Sequence, residues 1–116
     1  MKLEVKKHLY DIQAASELIV QFIHAKSFAD YEADVMLRSA IERQLMVVGE
    51  AFVRLRSELP EADEDDLLDR ITDARKIIGF RNILVHGYDA IKNDIVWIVI
   101  IKDLPALIRE VNTLLN

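Results

Sequence analysis

Apolar residues recur in steps of three and four along most of the 116 residues, with polar residues filling the gaps. Between Leu3 and about Lys26, the residues Val5, Leu9, Ile12, Ile19 and Ile23 fall at helical spacing. Lys6, Lys7, Asp11, Glu17 and Gln21 lie between them. The spacing predicts a long amphipathic helix. His8 and His24 sit on it without polar company in the pattern and read as surface or packing residues. Ser27 followed three residues later by Asp30 has the form of a capping box, and Asp34 offers a second helix start. From there to about Glu58, Leu37, Ile41, Leu45, Val48, Phe52, Leu55 and Leu59 predict a second long helix. Gly49 lies in its middle, where glycine costs about 1 kcal/mol relative to alanine. Its presence predicts close approach by another backbone or side chain. Glu50 beside it is either an exposed acid or a carboxylate facing cations from elsewhere in the chain.

Pro60 to Asp66 is a polar, acidic connection, and a third helix is expected to begin between Glu64 and Asp73 and to run through Ile77, Ile78, Ile83 and Leu84 to His86. Gly79 interrupts it, again predicting close packing. Asp89 to Asp94 form a last turn. The uninterrupted run Ile95 to Ile101 has the composition of a buried strand or of a helix buried nearly all round. No second strand-like run exists to pair with it, and a lone strand cannot satisfy its backbone, so a helix is predicted. It continues, or restarts near Pro105, with Leu104, Leu107, Ile108, Val111 and Leu115 on its apolar side. The expected architecture is all-α, an up-and-down bundle of four to five helices forming a single domain over residues 1–116.

Composition adds three constraints. Hydrophobic residues make up 52% of the chain, with three Gly and two Pro. That is rich for one small domain and predicts apolar surface buried against a second copy, hence a homodimer. No apolar run approaches the roughly 20 residues of a membrane span, and Met1 to Lys7 lack a signal-peptide stretch, so no membrane partner and a cytoplasmic location are expected. Without cysteine, and with His8, His24 and His86 lacking any His-x-x-x-His spacing, no metal site and no cofactor are expected. The net charge of −5 is uneven. Eight acids and one base lie between Glu58 and Asp73, a balance of −7, which leaves 14 bases against 12 acids elsewhere. A basic patch near Arg75, Lys76 and Arg81 therefore coexists with an acidic chain, and nucleic acid stays among the candidate ligands.

The chemistry-bearing groups gather between Arg81 and Tyr88. On a helix, Asn82 and His86 are four apart and share a face, while Arg81 and Tyr88, seven apart, nearly align. Gly87 directly after His86 fits a helix stop in the left-handed conformation. It would place His86 in the last turn, at the negative end of the helix dipole, with Tyr88 just beyond. A purely structural reading makes Arg81 a solvated cation, His86 a C-terminal cap and Tyr88 a half-buried anchor.

Arg81, Asn82 and His86, followed by His86-Gly87-Tyr88, resemble the Arg, four to six residues, His signature of the HEPN domains. Within them the match is to the HepT-like toxins of toxin–antitoxin pairs. Val48-Gly49-Glu50-Ala51, Val96-Trp97 and Asp103-Leu104-Pro105 extend the resemblance over essentially the whole chain. It implies a metal-independent endoribonuclease toxin of a type VII pair, with Arg81 and His86 catalytic and Asn82 and Glu50 supporting. It also implies a homodimer that brings two motifs together, and a minimal nucleotidyltransferase antitoxin that silences the toxin by AMPylation of Tyr88. The chemistry is coherent. RNA cleavage without metal needs a base for the 2′-hydroxyl, an acid for the leaving 5′-oxygen and a cation for the phosphorane. The other function considered is a non-catalytic helical subunit that presents nucleotide or substrate to a nucleotidyltransferase.

Overall fold

The computed structural model describes residues 1–59 and 67–116, apart from the side chain of Tyr88. The predicted acidic connection from Pro60 to Asp66 lies outside the described residues. Within them the chain is helical throughout, with no strand. The first helix, α1, spans Leu3–Phe22 and turns its buried stripe of Val5, Leu9, Ile12 and Ile19 inward. It stops earlier than the expected Lys26, and the turn that follows carries Ala25 at φ 59°.

Helix α2, Phe28–Ala33, opens on the predicted capping box. The Ser27 hydroxyl accepts from the Asp30 amide at 3.2 Å and the Asp30 carboxylate accepts from the Ser27 amide at 2.9 Å. Hydrogen bonding from the Ser27 amide, and then from the Ser27 side chain, holds the Asp30 carboxyl below its ordinary range. Asp34 then caps α3, Val35–Glu58, by accepting from the Leu37 amide at 3.1 Å. The 24 residues of α3 bury Ile41, Leu45, Val48, Phe52 and Leu55, and α3 lies between α1 on one side and α4 on the other.

Helix α4, Ala74–His86, carries the motif and begins later than the earliest expected start. A 3-10 turn, Tyr88–Ala90, leads to α5, Asn93–Ile98, then a π-helical segment, Val99–Asp103, then α6, Leu104–Leu115. Ile98, Val99 and Leu104 all keep right-handed helical dihedrals, so residues 93–115 form one rod that packs back on α1. With α1 to α4, the rod completes the bundle.

The helix expected over Ile95 to Ile101 is present, but it is not buried nearly all round. Val96, Val99 and Ile100 are buried, whereas Ile95, Ile98 and Ile101 are 46%, 50% and 51% exposed. These three recur every third residue and therefore lie along one side of the rod. Pro105 follows closely on the π-helical segment, at the start of α6, inside the continuous rod. Trp97 packs on Phe28 and Tyr31 of α2, with ring centroids 6.2 and 5.6 Å away. Tyr31 is wholly buried, and burial, with the Glu42 carboxylate adding to it, pushes the phenol well above its ordinary range. None of the described helices is long and apolar enough to cross a membrane.

Candidate active site

The site is organised by a contact between two helices. A β-carbon on Gly49 would lie 2.1 Å from Cβ and 2.5 Å from Cγ of Arg81, distances no side chain can occupy. The glycine in α3 is thus the seat for the arginine of α4, and the close approach expected at Gly49 has a named cause. One residue on, Glu50 accepts from Arg81 Nη2 at 2.7 Å, and from Arg54 Nε at 3.3 Å. Glu50 faces the cations, the second of the two alternatives read from the sequence. Asn82 Oδ1 accepts from Arg81 Nη1 at 3.0 Å. The Arg81 side chain is 22% exposed. Two of its five N–H groups are committed to Glu50 and Asn82, leaving three for a ligand.

A cleft of about 370 Å³ opens beside this cluster, walled by α1, α3 and α4. Arg81, Glu50 and Arg54 line it, and so do Lys7, His8 and Arg43. Lys7 is engaged with Asp11 at 2.8 Å. Four cations and two carboxylates line the cleft, a positive balance in a chain that is acidic overall.

His86 ends α4 and is exposed, in the last turn as the sequence implied. It does not line the cleft that holds Arg81. Helical geometry accounts for this, since five steps of 100° set the two side chains about 140° apart around α4. The structure therefore joins Arg81, Asn82 and Glu50 and leaves His86 on another side of the same helix. Asn82 is bonded to the arginine; no bond joins it to His86 among the described residues. The backbone of Tyr88 starts the 3-10 turn two residues after His86.

Two local expectations fail. Gly87 has φ −127° and ψ 45°, not the left-handed conformation; its amide simply continues the helical pattern to Ile83 O at 2.8 Å. Gly79 has nothing within 4 Å of where a β-carbon would sit and is exposed, so no close packing explains it. His8 is a residue whose surroundings the pattern undersold. It is only 7% exposed, and it lines the cleft with residues of α3 and α4. The signal was present, because position 8 is three after Val5 and four before Ile12 and so falls on the buried stripe.

Comparison with known proteins places the chain in a family. The family model described as ribonuclease HepT-like matches residues 12–114. The chain belongs to the ribonuclease HepT-like family. A protein of Thermococcus cleftensis named "Probable ribonuclease HepT" is 30% identical over 114 residues, 92% of each chain. A Methanocaldococcus jannaschii protein named as a candidate RNase is 27% identical over 110 residues, 95% of each chain. Another so named, from Caldanaerobacter subterraneus subsp. tengcongensis, is 28% identical over 111 residues, 96% of this chain and 94% of its own. No solved structure gives a significant match. Among the helices described above, the HepT-like match leaves out only residues 3–11 of α1 and Leu115 of α6.

Proposed function

We propose that this HepT-like chain is a metal-independent endoribonuclease toxin whose catalytic groups are Arg81 and His86, supported by Asn82 and Glu50. The observation that carries the reading is the held guanidinium. Arg81 is seated on Gly49, fixed by Glu50 and Asn82, and faces an open, positively balanced cleft. A cation preorganised in this way needs little rearrangement to stabilise the charge of a phosphorane. His86, exposed at the C-terminal end of the same helix, exchanges the protons.

One chain supplies a single histidine at the motif, whereas the reaction needs both a base and an acid. A homodimer that pairs two motif helices across its axis provides both. The same pairing suits Ile83, which is 45% exposed on α4 between Arg81 and His86. RNA is the substrate, and a minimal nucleotidyltransferase is the antitoxin. It transfers adenylate from ATP to the Tyr88 hydroxyl, releasing pyrophosphate. The new phosphate charge beside the site repels the RNA backbone.

The test is cleavage of labelled RNA in the presence of EDTA. Arg81→Ala and His86→Ala should each lower the rate at least a hundredfold while helicity is kept, and Tyr88→Phe should retain most activity yet escape silencing by the nucleotidyltransferase. Cleavage that stops on chelation and returns with added divalent metal contradicts the mechanism. A purified wild-type dimer that binds RNA without cutting it favours the non-catalytic subunit instead.

A further inference from the structure

The cleft extends beyond Arg81 between α1 and the N-terminal half of α3, where Lys7, His8, Arg43, Met46 and Val47 line it. Two independent features distinguish this arm. The first is His8, 7% exposed, whose Nδ1 is sealed from solvent with no hydrogen-bond partner among the described residues. With Nδ1 sealed, His8 offers a ligand in the cleft its ring surface and not that nitrogen. The second is Arg43. Arg81 and Arg54 are engaged by Glu50 and Lys7 by Asp11, but Arg43 is exposed and has no ion pair or hydrogen bond among the described residues. It lies on the same stripe of α3 as Val47, Glu50 and Arg54, at steps of four, three and four, and about 10 Å along the axis from Glu50. That separation suits a neighbouring phosphate, not the one Arg81 holds.

We propose that this arm binds the ribonucleotide adjacent to the scissile phosphate of a single-stranded RNA. Arg43 holds its phosphate, and His8 with the apolar Met46 and Val47 wall lies against its sugar and base. The cleft volume falls at the small-ligand end of binding pockets and admits one nucleotide splayed from its strand, not a duplex. The proposal rests on the RNA-cleaving reading given above.

The test uses a 2′-O-methyl RNA oligonucleotide, which lacks the attacking hydroxyl, so that binding is measured whether or not the protein cuts. Arg43→Ala should weaken binding about tenfold at low salt and flatten the slope of log affinity against log salt by about 0.7, the loss of one phosphate contact. Arg43→Lys should restore the slope. Lys102→Ala, the same loss of charge off the cleft, should leave it unchanged. With cleavable RNA, Arg43→Ala and His8→Gln should raise KM several-fold and move kcat by less than about twofold. Unchanged affinity and KM in both variants, in a protein that still cuts RNA, overturns the subsite and leaves the ribonuclease standing. Arg43-dependent binding without any cleavage supports a strand-binding arm and removes the ribonuclease. If 5′-AMP binds as tightly as the oligonucleotide, the arm is a free-nucleotide site and the proposal is wrong.

Discussion

Arg81 owes its position to a residue that has no side chain. Adding one methyl group at Gly49 puts it 2.1 Å from Arg81 Cβ, so either the helices part or the arginine swings out of its bonds to Glu50 and Asn82. Gly49→Ala gains helix propensity worth about 1 kcal/mol, but overpacking of this kind typically costs about 1–3 kcal/mol. The expected net result is a lower urea midpoint together with a larger proportional loss of RNA cleavage. An unchanged midpoint together with unchanged RNA cleavage would mean that α3 and α4 are not in the contact described. Gly49 was legible from sequence because a glycine inside a regular apolar repeat needs a steric reason. Gly79 met the same criterion and has no steric reason, so the pattern alone cannot tell the two apart. Glu50 was half legible, since spacing along one helix says which way a carboxylate faces but not what another helix brings to it. Arg43 became visible only when α1 and α3 were brought together, whereas the spacing of His8 from Val5 and Ile12 already placed it on the buried stripe.

At the scale of elements, α4 is also held away from its motif. Near its N-terminus Lys76 Nζ donates to Asp103 Oδ2 at 2.7 Å, joining α4 to the end of the π-helical segment. The ammonium is 54% exposed and the carboxylate 5%. The hydrogen bond to Asp103 raises the Lys76 pKa above its ordinary value of 10.5. A group whose folded value is raised stabilises the fold fully below its unfolded value and loses that contribution as pH rises through the folded one. The pair's contribution should therefore be intact at neutral pH and fade above about pH 10.5. Screening at the half-exposed ammonium keeps the pair near the roughly 1 kcal/mol of surface pairs, whereas removing it strands a buried carboxylate at a cost of about 1–3 kcal/mol. Lys76→Met should be less stable than the wild type at pH 7, and the gap should narrow on titration past pH 10.5. Urea melts across that range check it; a gap that widens with pH contradicts the pairing. The helix over Ile95 to Ile101 was read from the absence of a strand partner, and that reasoning held. Its burial did not follow, because β-branched composition reports what a face can pack against, not whether this chain alone covers it. Ile95, Ile98 and Ile101 are left open.

For the whole molecule, the proposed mechanism needs more than one chain supplies. Arg81 lines the cleft and His86 does not, and only one motif histidine is present to serve as both base and acid. Exposed Ile83 lies on the motif helix itself, so a partner seated there would bring the second motif with it. The bundle and its apolar stripes could be read from periodicity, since each helix is amphipathic in its own right. How two bundles would meet in the proposed dimer could not, because the exposed isoleucines of α4 and of the 93–115 rod are equally apolar in sequence. The measurement that tests the composite site most directly is cleavage by mixed dimers. Wild-type chains and a rising excess of His86→Ala chains are unfolded together, refolded, and assayed on labelled RNA in EDTA. If each cut needs both motif histidines, activity should fall as the square of the wild-type fraction, to about one quarter at an equal mixture. Activity that falls in simple proportion, to one half, would show that each chain cuts alone and would contradict the shared site.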